Sequence, residues 1–135
     1  MAQASLVDAA VEAGARLIDK LSSTRFDPES ALWLYRPDSD DWVLLLGSTA
    51  VRALGSREGY ITLESLIRTN AFQPLKLDDL VLTDNDEPLL QLLRIAIKTG
   101  PALNRIRFSR NRIGNAFIED ALIYRLQDSV VQQPT

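Results

Sequence analysis

Two apolar runs separated by a short polar turn constrain the fold of this chain more than any other feature. The runs are 31–35 (ALWLY) and 42–46 (WVLLL), and Pro37, aspartates and a serine lie between them. Proline and aspartate at these positions favour a turn, so the pattern predicts a β-hairpin. If Arg36 pairs with Asp41, both faces of the hairpin are apolar. Such a hairpin belongs inside a sheet that is covered on both sides, by helices or by another subunit.

Three other segments have the apolar spacing of amphipathic helices. They are residues 5–21, a segment around 60–70, and a segment over 88–97 for which 84–86 would supply the N-cap. A further helical turn around 50–54 stays open as an alternative.

The remaining strands are predicted from short apolar or alternating runs. Residues 80–82 form a short buried run, and residues 105–108 alternate polar and apolar side chains. Residues 116–126 fit either a strand paired with 105–108 or a helix capped by Asn115. The content of Ile, Phe and Tyr and the nearby Gly114 favour the strand.

These elements predict a single α+β domain over residues 1–127. The element order is α-β-β-α-β-α-β-β, with a mixed or antiparallel sheet of about five strands packed with three helices. A length of 135 residues is typical of one domain. Residues 128–135 are expected to form a flexible C-terminal tail.

The composition excludes several kinds of chemistry, because the chain contains no histidine and no cysteine. Imidazole bases, thiolate nucleophiles and metal sites built from Cys or His are therefore excluded within it. The spacings S-x-x-K and G-x-S-x-G are also absent. We therefore expect a protein that is not an enzyme and that needs no cofactor.

Two acidic clusters, at 38–41 and 84–87, could in principle bind Mg²⁺ or Ca²⁺. Turn formation and helix capping explain both clusters without a metal, so no metal site is predicted. Asp84, Asp86 and Asp120 are the candidate ligands if a metal does bind.

Asp120 has a second interpretation. An acid within an apolar strand needs a partner. Arg125, or an arginine of a neighbouring strand, could supply it.

Four arginines lie within eight residues near the C-terminus, and an aromatic residue is among them: Arg105, Arg107, Phe108, Arg110 and Arg112. They are the candidate ligand-binding residues, because arginine binds phosphate and an aromatic ring stacks on a base. The alternative is structural, with Arg105 and Arg107 on the solvated face of a strand and Phe108 pointing inward. The formal charge of −3 argues against nucleic acid as the partner.

The N-terminal residues do not resemble a targeting signal, since charged side chains are spread through residues 1–20. The apolar runs are far shorter than the roughly 20 residues that cross a membrane. A chain without cysteine is compatible with a reducing compartment. We therefore expect a cytoplasmic protein with no membrane partner.

Residues 31–44 and 115–126 resemble a family of small bacterial proteins to which no activity is attached. The resemblance implies a hairpin at the C-terminus and a cytoplasmic bacterial origin. It implies no catalytic or binding residue.

The leading expectation is a non-enzymatic protein–protein interaction or scaffold protein that forms a homodimer. The alternative is a metal-dependent enzyme or binder that acts on a phosphorylated or nucleic-acid ligand. In that case acidic residues would hold the metal and the arginines of 105–112 would hold phosphate.

Overall fold

The computed structural model describes residues 3–129, in which a five-stranded sheet has helices on both faces. The helices are α1 (Asp8–Leu21), α2 (Ala50–Leu54), α3 (Ser56–Thr69) and α4 (Pro88–Ala96), and the strands are β1 (Ser30–Arg36), β2 (Asp41–Gly47), β3 (Leu80–Thr83), β4 (Ile106–Ile113) and β5 (Ala116–Leu126). The predicted α+β class and element order are confirmed. The five-residue α2 is a fourth helix, at the position where the sequence left one helical turn open.

The strand order is β3-β2-β1-β5-β4, which places the predicted hairpin in the interior of the sheet. β2 and β3 are parallel, and the other neighbouring strands are antiparallel, so the sheet is mixed. The hairpin has the predicted register, with Arg36 opposite Asp41 and Tyr35 opposite Trp42. Arg36 donates to both carboxylate oxygens of Asp41, at 2.8 and 2.7 Å, and so closes the turn.

One face of the sheet packs against α1 and α3 and forms the first core. Its centre is a chain of hydrogen bonds between buried groups. The Trp33 indole donates to the Tyr124 hydroxyl at 2.9 Å, and that hydroxyl donates to the Val11 carbonyl at 2.6 Å. Burial raises the pKa of Tyr124 to about 12, so this hydroxyl keeps its proton. These hydrogen bonds connect α1 to strands β1 and β5.

The other face packs against α4 and forms the second core, which includes Leu32, Leu45, Leu90, Leu93 and Ile123. α4 has nine residues and ends at Ala96. The sequence-based end at residue 97 is thus nearly correct, but the predicted cap at 84–86 is wrong. The N-cap is Glu87, whose carboxylate accepts the Leu89 N–H at 2.8 Å.

The C-terminal segment is a strand, so the strand interpretation of 116–126 is confirmed. β5 pairs with β1 on one side and with β4 on the other. Of the predicted tail at 128–135, only residues 128 and 129 are among the described residues, and residues 130–135 lie outside them. Its first residues contact the fold: Asp128 binds Lys98 at 3.0 Å, and Ser129 donates to Asp86. Across residues 3–129, no helix combines the length and apolarity that crossing a bilayer requires.

α1 begins at Asp8, three residues later than the sequence predicts, and its N-cap Val7 makes no side-chain cap. In the segment before α1, two side chains of the hairpin bind the backbone of Ala4. The Ala4 N–H donates to Asp40 at 2.8 Å, and the Ala4 carbonyl accepts the Trp42 indole N–H at 2.8 Å. These contacts bring the N-terminal segment to the same end of the sheet as the hairpin turn.

Candidate functional site

A buried carboxylate, Asp120 of β5, joins three parts of the chain at this end of the sheet. Arg107 donates to both of its oxygens, at 2.7 and 2.5 Å, Ser109 donates at 2.7 Å, and Gln3 donates at 2.8 Å. We call these four residues the Asp120 cluster. The hydrogen bonds from Arg107 are the largest cause that lowers the pKa of Asp120, to about 2. The carboxylate is therefore ionised. The sequence predicts either Arg125 or an arginine of a neighbouring strand as its partner, and the structure shows the second, Arg107 of β4.

The cluster extends to an aromatic pair on the hairpin. The Arg107 guanidinium lies 5.5 Å from the centroid of the Trp42 ring, a cation–π contact. Trp42 in turn contacts Tyr35, with their ring centroids 5.5 Å apart. Arg107 therefore contributes to packing in the first core as well as to the charge balance of Asp120.

Tyr35 and Asp40 form a second polar contact beside the cluster. The Tyr35 hydroxyl donates to Asp40 at 2.5 Å, and the hydrogen bond is the main cause that raises the Tyr35 pKa to about 12. The same bond is the main cause that lowers the pKa of Asp40. The tyrosine is thus held protonated and the aspartate ionised, which suits a fixed structural contact.

A cleft of about 940 Å³ lies between these groups, and its lining residues are Gln3, Tyr35, Pro37, Asp40, Ser109, Arg110, Glu119 and Asp120. Two of them have positive φ without being glycine: Asp40 at 49° and Arg110 at 50°. Most of the polar lining groups are already hydrogen-bonded to each other. The side chains of Arg110 and Glu119 form no hydrogen bond or ion pair with any other residue in the described range 3–129. These two side chains are the ones that remain available to a ligand.

The structure places the five predicted ligand-binding residues on different surfaces. Arg105 binds Glu12 of α1 at 2.7 Å, and Arg107 binds Asp120. Phe108 is partly buried against the second core, on the face of the sheet opposite to Arg107.

The other two arginines are exposed. Arg110 lines the cleft, and Arg112 lies opposite Phe117 in the β4–β5 ladder. Neither forms an ion pair within residues 3–129. The structure therefore does not bring the aromatic ring and the four guanidinium groups onto one surface.

The predicted metal-ligand candidates are likewise engaged. Asp84 and Asp86 both bind Arg52, at 2.9 and 3.1 Å. Among residues 3–129 no three carboxylates come together in a group that could hold a metal ion. Both aspartates before α4 are thus paired with the same arginine of α2.

One buried polar cluster was missed by the sequence analysis. Asn85 is fully buried, accepts from Ser30 at 2.6 Å and donates to the Gln127 carbonyl at 3.1 Å. Arg94 donates to the Asn85 carbonyl at 3.0 Å, and its side chain is 8% exposed. The spacing contained a signal, because Arg94 follows the buried Leu90 by four residues and so shares its face of α4.

Phe117 of β5 is a large apolar residue that is 53% exposed. Beside it lies a groove of about 530 Å³ that includes Leu34, Leu89 and Ile118 among its lining residues. We call Phe117 with these three residues the Phe117 surface. The polar lining residues of the groove include Arg36, Asp38 and Ser39 at the hairpin turn and Glu119 of β5.

No family model matches the chain, and no curated protein or solved structure is significantly similar to it. The resemblance of residues 31–44 and 115–126 to a bacterial family therefore stays a prediction.

Proposed function

We propose that this protein is a non-enzymatic protein–protein interaction protein that forms a homodimer through the Phe117 surface. The observation that carries the proposal is the position of Phe117. A large aromatic side chain that is half exposed beside an apolar groove has the form of an interface anchor. Isolated exposed apolar residues are ordinary, but an exposed ring adjoining a groove supports an interaction site.

The arrangement suits a second copy of the same chain. Phe117 lies at the edge of the groove that Leu34 and Leu89 line. A two-fold axis beside that edge would let each Phe117 enter the groove of the other subunit. Such an interface is self-complementary, as two-fold dimers require.

Charges at the rim favour the same arrangement. Asp38 and Glu119 line the groove, and Arg112 lies opposite Phe117 across the ladder. Within residues 3–129, none of these three side chains forms an ion pair. A two-fold axis would bring the arginine of one subunit towards the carboxylates of the other, which adds specificity to the apolar contact.

The state of the polar groups supports a function without catalysis. Tyr35 stays protonated and Asp40 ionised because they hydrogen-bond to each other, and Asp120 stays ionised because Arg107 donates to it. A general acid or base needs a pKa near the working pH and access to a substrate.

We further propose a cytoplasmic location, which the cysteine-free composition supports, and a bacterial origin, which rests on the resemblance.

The nucleic-acid alternative has less support. Arg105 and Arg107 contact groups on one face of the sheet, and Phe108 packs on the other face. Stacking and phosphate binding would therefore not act together on one strand of nucleic acid.

Light scattering of the wild-type protein tests the homodimer. At about 50 µM and moderate salt we expect a mass near twice the chain mass of 15.1 kDa. A mass of 15.1 kDa at every concentration up to about 1 mM would overturn the proposal.

A further inference from the structure

The two edges of the sheet differ in how open they are. At one edge, β3 has only four residues, and the Leu82 N–H is already bound by the Tyr60 hydroxyl at 2.9 Å. At the other edge, β4 has eight residues and, in the part of the chain that the structure describes, pairs only with β5. The side of β4 that faces away from β5 thus presents backbone donors and acceptors that another strand could bind.

The regular part of this edge is the first half of β4. Arg110 adopts a positive φ of 50°, and the Ser109 carbonyl already accepts a hydrogen bond from the Asn111 side-chain Nδ2 at 2.9 Å. An added strand would therefore pair along residues 105–108, before this irregularity. Backbone pairing with β5 extends to the start of this run, where the Asn104 N–H donates to the Tyr124 carbonyl at 2.7 Å.

Side chains along this run alternate in chemistry. Arg105 and Arg107 are half exposed, at 51% and 54% of their side chains, and contact groups of the first-core face. Ile106 and Phe108 lie at the margin of the second core and are partly exposed. A strand added to the edge would place its own side chains alternately beside the arginines and beside the apolar pair.

We propose that the β4 edge binds an extended segment of a partner protein in which acidic and apolar residues alternate. The acidic side chains would contact Arg105 and Arg107, and the apolar ones would cover Ile106 and Phe108. Both arginines keep donors for this contact, because Arg105 uses only Nη1 on Glu12, and Arg107 uses Nε and Nη2 on Asp120. Binding of this kind combines backbone hydrogen bonds with side-chain specificity.

A second copy of this chain does not fit the same edge. In antiparallel pairing, side chains of the same face meet, so arginines of one copy would lie opposite arginines of the other. Like charges directly opposite each other destabilise a sheet. The β4 edge would therefore bind a different partner from the Phe117 surface, which is proposed to bind a second copy. The peptide proposal does not depend on the homodimer.

The probe is a fluorescein-labelled seven-residue peptide of alternating valine and glutamate, titrated with the full chain and followed by fluorescence anisotropy. We expect saturable binding that weakens with salt. The matched peptide has the same sequence with N-methylated backbone amides, which keeps every charge and removes the donors. We expect it to bind at least about tenfold more weakly.

Variants locate the site on the protein. Arg105→Glu reverses a charge at the edge and should weaken the peptide about tenfold, because it sets glutamate against glutamate. Arg57→Glu makes the same charge change on an exposed position of α3 and should leave affinity within about twofold. Phe117→Ser should also keep the affinity, which separates this inference from the homodimer.

Three results would overturn the proposal. The first is no binding of the alternating peptide, and the second is equal binding of the N-methylated peptide, which would show charge attraction without strand pairing. The third is tighter binding of a single-stranded DNA oligomer with the same charge as the peptide, together with a loss of affinity for this oligomer in the Arg105→Glu variant. That result would assign the arginines to nucleic acid instead.

Discussion

Asp120 shows at the scale of one residue how a buried charge can organise this end of the molecule. It is 6% exposed, and it binds an arginine and a serine of β4 and a glutamine of the N-terminal segment. A buried carboxylate is stable only when it is paired and hydrogen-bonded. Asp120 therefore contributes to stability through the three segments that it joins.

We predict that Asp120→Asn lowers the free energy of unfolding by about 2 kcal/mol at pH 7, because it removes a charge-assisted pair with Arg107. Urea denaturation measures the change. The control is Asp19→Asn, which changes an exposed aspartate of α1 whose side chain forms no hydrogen bond or ion pair in residues 3–129 and should cost less than about 0.5 kcal/mol.

The same carboxylate predicts a pH dependence. Its pKa is about 2 in the folded protein and 3.8 in its ordinary state, so acid protonates the unfolded chain first. Its contribution is complete above pH 3.8 and is lost as the pH falls towards 2. The stability difference between wild type and Asp120→Asn should therefore narrow between about pH 4.5 and pH 2.5. A difference that is constant with pH would contradict this account.

Single residues also mark where sequence analysis reaches its limit. The need of Asp120 for a partner is visible in the sequence, because an acid interrupts an apolar strand. Asn85 was misinterpreted because an Asn between two aspartates resembles a helix cap. Its burial depends on Ser30 and Gln127, which are distant in the chain and meet only in the folded protein.

At the scale of elements, α1 approaches the sheet closely at Gly14. A Cβ built on Gly14 would lie 2.6 Å from the Tyr124 hydroxyl and 3.0 Å from the Trp33 indole nitrogen. Both atoms belong to the hydrogen-bonded chain in the first core, so neither can move without breaking a buried bond. The glycine is required by packing, although it weakens the helix locally.

We predict that Gly14→Ala destabilises the protein by about 2 kcal/mol, since overpacking exceeds the roughly 1 kcal/mol that alanine adds to helix propensity. Thermal denaturation with Gly100→Ala as the control tests this, because a Cβ at Gly100 meets nothing within 4 Å. An increase in stability for Gly14→Ala would show that α1 can move away from the sheet at little cost.

The elements themselves were largely predictable, and the errors have physical causes. The hairpin register follows from the Arg36–Asp41 pair, which joins opposite charges across a turn. α3 begins at Ser56, four residues before the predicted helix around 60–70, and so it includes Gly59, a residue that disfavours helix. A Cβ on Gly59 would lie 2.2 Å from a methyl group of Leu82, so this glycine serves close packing inside a helix.

At the scale of the whole molecule, the two faces of the sheet are covered unequally. Two 14-residue helices pack on the first core, whereas the nine-residue α4 packs on the second. The strand order that produces this arrangement was not predictable from local patterns, because β1 pairs with the distant β5. The exposed Phe117 is the neighbour of Ile118, a buried residue of the second core, and no local pattern distinguished it from a core residue of β5.

Sedimentation velocity of two serine variants tests whether Phe117 anchors a homodimer. Phe117→Ser removes the anchor, and Ile95→Ser removes an apolar side chain that is 77% exposed on α4. At a concentration at which the wild type is a dimer, about 50 µM, we predict that Ile95→Ser remains a dimer and that Phe117→Ser is a monomer of 15.1 kDa. A Phe117→Ser protein that sediments as a dimer with the wild-type affinity would contradict the account.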